Sequence, residues 1–125
     1  MPPTRLPSRG TIWFVKVQSD PPQKTERPVI VVSPDGRNCN PRAETVVVVP
    51  MSTSVHKDDI PFHLILEPGE TGLNERTIAK AEDITTVRKD SLQEPRQQTR
   101  TLGNVVIQEL LGMVNLALAY VPPSK

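Results

Sequence analysis

The sequence predicts a mainly β (α+β) fold, a compact barrel or half-barrel of short strands followed by one long helix. Three observations lead to this prediction. The chain has 125 residues, which suffices for a single domain but not for two independent cores. Short apolar segments alternate with proline and glycine turn signals along most of its length. Only one stretch, near the carboxy terminus, has the composition and length of a long helix.

Six segments are rich in β-branched, aliphatic or aromatic residues and are predicted as strands. In chain order they are residues 11–17, 29–33, 45–50, 62–67, 77–81 and 84–87. In the first of them, Trp13, Val15 and Val17 fall on one face of the strand, and Ile12 and Phe14 on the other. Alternation of this kind predicts a sheet with two different faces.

Turn and linker signals separate these elements. Pro34-Asp35-Gly36 and Pro68-Gly69, the latter followed by Gly72, are predicted turns, because proline fixes φ and glycine frees it. Residues 93–100 are polar, contain Pro95 and are predicted to form a connector. Residues 1–8 are predicted to be a flexible amino-terminal tail, and the lack of an apolar segment there does not fit a signal peptide. We therefore expect residues 1–125 to form a single domain.

The long helix is predicted over residues 102–120. Its polar residues Asn104, Gln108 and Asn115 share a narrow stripe, and the rest of its surface is apolar. The polar interruptions, together with Glu109, exclude a membrane span. A helix with so little polar surface must pack against other parts of the protein on more than one side. Either it packs on the barrel and on a second subunit in a homodimer, or it is wedged into its own core.

Composition excludes several kinds of site. The formal net charge is +1, so an anion site must be a local cluster of charges and not a property of the whole surface. Cys39 is the single cysteine, which rules out an intrachain disulfide and metal sites built on cysteine pairs and favours a cytoplasmic location. His56 and His63 lie in no metal-binding motif, and no glycine-rich phosphate loop occurs. The sequence thus predicts neither a metal nor a cofactor.

Two segments carry candidate chemistry. Arg27 follows a polar loop at residues 18–26 and precedes Pro28, a residue that strands tolerate at their first position. A permanently charged, planar guanidinium there suits phosphate or carboxylate, although a solvated arginine at a strand end is the simpler interpretation. Ser52, Thr53 and Ser54 follow the valine-rich strand. Their hydroxyls either end that strand or hold a phosphate beside Arg27.

These segments resemble the MazF/PemK (Kid) toxins, the endoribonucleases of type II toxin–antitoxin modules. The resemblance covers roughly residues 8–120, and its motifs occur in the same order. Residues 9–14 are similar to the family's RGDIWW opening, 27–33 to its RPVLVVS strand and 46–54 to its V-V-x-P-[LI]-[TS]-S segment. Gly72-Leu73 with residues 77–84 is similar to the later GL…S-x-[VA]-x-x-[DE]-Q-I stretch.

The resemblance implies an SH3-like small β barrel of the CcdB/MazF/Kid type with a long carboxy-terminal helix, acting as a homodimer in the cytoplasm. It also implies metal-independent, sequence-specific cleavage of single-stranded RNA, mRNA above all. In that reaction the substrate's 2′-hydroxyl attacks the phosphate and leaves a 2′,3′-cyclic phosphate and a 5′-hydroxyl. The chemistry needs a base, an acid and a cation for the phosphorane, but no cofactor.

The resemblance also implies roles for individual residues. Arg27 matches the catalytic arginine that stabilises the pentavalent phosphate and can donate a proton. Ser52 matches the catalytic Thr/Ser position, with Thr53 as its rival if the alignment shifts by one residue. Glu82 matches an acidic residue that some members use as base, and Lys80 a basic partner. The alternative for Lys80 and Glu82 is an exposed charged pair of little energetic value.

Substrate contacts are expected from the loops at residues 18–26 and 55–59, with Lys24, His56 and Lys57 as RNA-binding side chains together with Lys80. The chain departs from the family at Thr85, where many members carry an arginine. This departure leaves open a catalytically degenerate interaction module. A CcdB-like gyrase poison is a second alternative because the fold family is shared, although Arg27 and Ser52 match the nuclease pattern. The implied protein partner is an antitoxin whose disordered carboxy-terminal tail covers the Arg27 groove, and DNA is contacted only indirectly through that antitoxin.

Overall fold

The computed structural model describes residues 6–16, 26–53 and 60–119. Within these ranges the chain forms six strands and three helices, in which all strand pairs are antiparallel. The strands are β1 (Ile12–Val15), β2 (Arg27–Val31), β3 (Thr45–Ser52), β4 (His63–Leu66), β5 (Thr77–Lys80) and β6 (Thr85–Arg88). The helices are α1 (Asp35–Asn38), α2 (Pro68–Thr71) and α3 (Asn104–Ala117), and 3₁₀ turns occupy Ala81–Asp83 and Lys89–Ser91.

Strand β3 is the centre of the sheet, whose order is β1-β2-β3-β5-β4, with β6 also paired to β3. The first half of β3, from Thr45 to Val48, pairs with β6. Its last two residues, Met51 and Ser52, pair with β5. Because β5 and β6 follow each other in sequence, the 3₁₀ turn between them lets both strands pair with β3. The eight-residue β3 thus has a β6 end and a β5 end, roughly 23 Å apart at ~3.3 Å per residue.

The sheet curls towards a barrel without closing into one. The other edge of β1 meets the chain after β6, where Phe14 N–H donates to the Gln93 carbonyl at 2.9 Å and Gln93 N–H donates to the Phe14 carbonyl at 2.8 Å. This bridge joins a single pair of residues and does not form a strand ladder. The predicted mainly β fold with a carboxy-terminal helix is therefore confirmed, with a barrel-like sheet that remains open.

The two faces of the sheet bury separate apolar clusters, as the period-2 alternation of strands requires. The barrel cluster comprises Trp13, Val15, Val29, Val31, Val46, Val48 and Leu92. The helix cluster lies on the opposite face and includes Ile12, Ile30, Val49, Met51, Ala79, Ile107 and Leu110. The predicted separation of Trp13 and Val15 from Ile12 and Phe14 is confirmed, whereas Val17 lies outside the described residues.

Helix α3 is shorter than the predicted span. It begins at Asn104 because the Leu102 N–H donates to the Gly10 carbonyl at 2.9 Å and Gly103 is extended. It ends at Ala117, and Ala119 then takes a positive φ of 52°. The helix buries Ile107, Leu110 and Val114 and leaves Val105 and Leu116 exposed. One side of the apolar surface predicted from the sequence therefore packs on the sheet, and part of the remainder faces outward.

The two predicted turns are single helical turns. After Pro34 the chain forms α1, whose Asn38 is buried and donates from its side-chain amide to the Ser33 carbonyl at 2.8 Å. Helix α2 starts with a capping box and ends at Gly72, which has a φ of 82°. A Cβ at Gly72 would lie 2.5 Å from the Gln98 carbonyl oxygen, so glycine is required there. The helical turns arise because backbone donors and acceptors at i and i+4 are satisfied within each turn.

Candidate active site

Arg27 is the first residue of strand β2. The sequence suggested that the strand starts after Arg27, but β2 begins at Arg27, which pairs with Val15 of β1 and is half-buried. Strand β2 also pairs with β3 through Val29 and Pro50. The pairing ends at Val29 and Pro50, and the same register continued by two residues points to Ser52, the last residue of β3, as the residue opposite Arg27.

Arg27 and Ser52 also share a face of the sheet. Arg27 has the same strand parity as Val29 and Val31, which pack in the barrel cluster. Ser52 has the same parity as Val46 and Val48, which pack in that cluster too. Because side chains two residues apart in a strand point to the same side, both polar side chains project on the barrel-cluster face, at the β5 end of β3. The extended register and the shared strand parity therefore assign Arg27 and Ser52 to the same face of the sheet.

Lys80 extends this polar face onto β5. Ser52 pairs with Ile78, and Lys80 is two residues further along the same strand, so it projects on the same side. Lys80 is half-buried and pairs with His63 of the neighbouring strand β4. Four side chains from four strands therefore line one face: Arg27 of β2, Ser52 of β3, Lys80 of β5 and His63 of β4. We refer to this surface, together with Glu82, as the polar face.

Glu82 lies in the 3₁₀ turn that directly follows β5. Its two carboxylate oxygens, Oε1 and Oε2, accept from the His63 ring nitrogen Nε2 at 2.8 and 2.6 Å. The His63 side chain is 8% exposed and that of Glu82 is 31% exposed. The carboxylate is thus accessible from solvent, while the imidazole lies behind it. The alternative interpretation, an exposed pair between Lys80 and Glu82, does not include this contact. Glu82 instead bonds to a histidine whose side chain is largely buried.

Sequence reasoning missed the contact between His63 and Glu82. Alternation along residues 62–67 does place His63 on the face opposite Phe62 and Leu64, but only the pairing of β4 with β5 shows what it meets there. Its partner is 19 positions away in the sequence. A histidine on the polar side of an otherwise apolar strand was the available signal.

The other candidate residues fall into two groups. Thr53 lies one residue beyond the end of β3 and is exposed, whereas Ser52 is half-buried within the strand. Lys24, His56 and Lys57, which were expected to bind RNA, lie outside the described residues. Of the four predicted RNA contacts, Lys80 is therefore the one that can be placed on the polar face.

A second charged group lies at the β6 end of β3. Arg88 pairs with Thr45 in the sheet, and its guanidinium contacts the Asp90 carboxylate at 3.1 Å. The hydrogen bond from Arg88 holds the pKa of Asp90 below its ordinary value, and the same bond raises the pKa of Arg88. Because this pair lies at the far end of the eight-residue β3, it is separate from the polar face.

Two of the cavities lined by described residues flank the sheet. One, of about 410 Å³, lies beside Cys39, Glu44 and Arg88 at the β6 end of β3. The other, of about 390 Å³, is lined by Phe14, Glu26, Gln93, Glu94, Arg96 and Gln97. Its Glu26 immediately precedes Arg27. Neither of these two cavities is lined by Ser52 or Arg27.

Within residues 6–16, 26–53 and 60–119, no three His, Cys, Asp or Glu side chains are grouped closely enough to hold a metal ion. None of the helices in these ranges combines the length and the apolar character that a membrane span needs.

Comparison with known proteins identifies the family. Residues 8–119 match the family described as PemK-like, MazF-like toxin of type II toxin–antitoxin systems. The chain belongs to this toxin family. A curated relative, endoribonuclease MazF9 of Mycobacterium tuberculosis, is 33% identical over 109 residues, which cover 82% of this chain and 85% of the relative. Membership of the family, together with this relative, supports endoribonuclease activity.

Solved structures of MazF-type toxins share the fold. An endoribonuclease from a mycobacterial species has a TM-score of 0.68 at 21% identity and covers 95% of this chain and 97% of its own. An endoribonuclease in complex with its cognate antitoxin, also mycobacterial, has a TM-score of 0.67 at 20% identity, with coverages of 94% and 99%. MazF of Deinococcus radiodurans has a TM-score of 0.68 at 19% identity, with coverages of 93% and 99%. The fold predicted from the MazF/PemK resemblance is therefore confirmed.

Proposed function

We propose that this MazF-type toxin is a sequence-specific endoribonuclease that cuts single-stranded RNA, including mRNA, without a metal ion. The observation that supports the proposal is the β2–β3 register, which, extended to the strand ends, points to Ser52 as the residue opposite Arg27, with Lys80 two residues from the partner of Ser52 on β5 and Glu82 in the turn that follows. A cation for the phosphorane and a carboxylate base are groups that phosphodiester transfer to a neighbouring 2′-hydroxyl requires, and the Lys80 ammonium and the Ser52 hydroxyl can contact the phosphate as well.

The proposed reaction is an in-line transfer within the substrate. The 2′-oxygen forms a bond to phosphorus while the bond from phosphorus to the 5′-oxygen breaks. The proton of the 2′-hydroxyl passes to the Glu82 carboxylate, and the departing 5′-oxygen takes up one proton, which Glu82 returns through water. The products are a 2′,3′-cyclic phosphate and a 5′-hydroxyl, with no net change in protons.

Arg27 is the cation for the phosphorane in this proposal. Its planar fork can donate two parallel hydrogen bonds to phosphate oxygens, which an ammonium cannot do. Its backbone is restrained in strand β2, where it pairs with Val15 of β1. Such prior positioning lowers the reorganisation needed when charge develops on the phosphate. Lys80 supplies a second positive charge on the same face for the RNA backbone.

RNA cleavage in the presence of EDTA tests this function. Purified protein incubated with a long single-stranded RNA in excess EDTA is expected to yield discrete fragments with cyclic-phosphate and 5′-hydroxyl ends. Mapping both ends by sequencing checks the chemistry and the sequence preference together. Fragments with 5′-phosphate ends, or activity that needs added metal, would contradict it. Inhibition of gyrase without any RNA cleavage would instead indicate a gyrase poison, and neither activity would indicate an interaction module.

Ser52, and not Thr53, is the expected active hydroxyl. Ser52 lies inside β3 on the Arg27 face, whereas Thr53 is exposed beyond the strand end. Replacing Ser52 with alanine is expected to lower kcat by roughly 10-fold, about 1.4 kcal/mol of transition-state stabilisation. Thr53→Ala is the matched control and should cleave the same RNA at the wild-type rate. The reverse ranking of the two variants would show that the family alignment is shifted by one residue.

Sequence preference is proposed to involve the cavity beside β2. The carboxylate of Glu26 and the amides of Gln93 and Gln97 can hydrogen-bond to the edge of a base, and Phe14 supplies an aromatic surface.

We further propose that the protein acts in the cytoplasm as a homodimer that a cognate antitoxin inhibits. Val105 and Leu116 of α3 support the dimer, since they are 82% and 56% exposed and share one side of the helix. Covering them against a second subunit would remove apolar surface from water. An acidic, disordered antitoxin tail suits the cationic polar face. Binding of such a peptide should therefore compete with RNA.

A further inference from the structure

His63, the hydrogen-bond partner of the Glu82 carboxylate, is held in place by several contacts. Its backbone N–H donates to the Ile60 carbonyl at 3.1 Å, and β4 pairs it with Lys80 of β5. Its ring packs edge-on against Phe62, with centroids 5.6 Å apart and planes 82° from parallel. At 8% exposure the imidazole has little freedom to rotate away.

The contact between His63 and Glu82 has a defined direction. A carboxylate oxygen only accepts hydrogen bonds, so the proton of this contact lies on His63 Nε2. That nitrogen lies 2.8 Å from Oε1 and 2.6 Å from Oε2, so the imidazole contacts both carboxylate oxygens. Glu82 lies in a 3₁₀ turn of three residues, which by itself leaves the long glutamate side chain free to adopt several rotamers.

We propose that His63 is a positioning residue that holds the Glu82 carboxylate in place for RNA cleavage. This inference rests on the proposed function, because it assigns Glu82 the part of the base. Glu82 is 31% exposed and contacts the 2′-hydroxyl, while His63 stays behind it and contacts no substrate atom. The contacts from Nε2 to both oxygens restrict the Glu82 carboxylate to a position beside His63, in the turn that directly follows Lys80. In the reaction the carboxylate receives one proton and later releases it, and His63 keeps its own.

A purely structural role for His63 predicts something different. If the pair only tied β4 to the turn after β5, its loss would lower the stability of the hairpin and leave the turnover of folded protein unchanged. A positioning role predicts a loss in kcat with an unchanged KM, because RNA is still bound by Arg27 and Lys80. The two roles are therefore separated by kinetics on protein whose folding is verified.

Two matched substitutions provide this test. The side-chain nitrogen of glutamine can occupy the place of Nε2, whereas that of asparagine reaches only as far as Nδ1. Both side chains are polar and neither titrates. His63→Asn is expected to lower kcat by about tenfold or more, as a misplaced catalytic group does, while KM stays within about twofold. His63→Gln is expected to retain most of the wild-type kcat. Circular dichroism and thermal unfolding verify that both variants are folded.

A double substitution shows whether His63 acts through Glu82. In a Glu82→Gln background, His63→Asn should cause no further loss, since the group that it positions is gone. Equal kcat values for His63→Asn, His63→Gln and wild type would overturn the proposal, as would an undiminished loss in the Glu82→Gln background. In either case cleavage by the wild type and its loss in Arg27→Ala would leave the proposed function standing. No cleavage by the wild type would overturn both.

Discussion

Replacing Arg27 with alanine is expected to slow RNA cleavage by roughly 10²–10³-fold, the usual cost of removing one preorganised donor to a developing negative charge. The half-buried Arg27 pairs with Val15 of β1, and its neighbours on the same strand, Pro28 and Val29, have no charged group that could substitute for it. The effect is expected in kcat, because the charge on the phosphate is largest in the transition state. Single-turnover cleavage of a defined RNA in EDTA measures it.

Two further arginine substitutions make this result interpretable. Arg27→Lys keeps the charge and loses the planar fork, so it is expected to fall between alanine and wild type. Arg88→Ala is the control. Arg88 belongs to a partly exposed pair with Asp90 at the other end of β3, and its loss should leave cleavage unchanged. Cleavage by Arg27→Ala at the wild-type rate, or an equal loss in Arg88→Ala, would remove the basis for a phosphate-stabilising role.

Replacing Leu110 with alanine is expected to lower the free energy of unfolding by about 2–5 kcal/mol. Leu110 is 0% exposed and packs with Ile107 in the helix cluster beneath the sheet. The contact matters because α3 begins only after an irregular segment and is held to the sheet mainly by this cluster. Losing the side chain removes apolar burial and leaves a cavity that rigid strands cannot fill. Chemical denaturation at one fixed protein concentration measures the change, since dimerisation would make it concentration-dependent.

Leu118 offers a control of the same residue type. It caps the same helix but is 66% exposed, so Leu118→Ala is expected to change the free energy of unfolding by less than about 0.5 kcal/mol. Similar losses in both variants would mean that the carboxy-terminal segment, and not the helix cluster, limits stability. Because neither residue lies on the polar face, both folded variants should cleave RNA at the wild-type rate.

The local pattern of the chain determined much of the fold. Alternation in β1 correctly separated Trp13 from Ile12, because consecutive side chains of any strand must point to opposite faces. Exact boundaries did not follow from such patterns. Helix α3 starts at Asn104 because a backbone hydrogen bond from Leu102 to Gly10 pulls the preceding residue out of the helix. That contact spans most of the chain, and no local propensity encodes it.

The candidate site, too, was predicted in part from the sequence and required the tertiary structure for the rest. The order of motifs along the chain pointed to Arg27, Ser52 and Glu82 and to the MazF/PemK family, because residues with a shared function keep their place in the sequence. Tertiary structure alone pointed to Ser52 as the residue opposite Arg27, since this follows from extending the register between β2 and β3 beyond Val29 and Pro50. It alone revealed His63 behind Glu82, because β4 had to pair with β5 before the imidazole could meet the carboxylate. The sequence by itself determines which chemical groups are available; strand pairing determines which of them meet, because it joins residues that no local pattern relates.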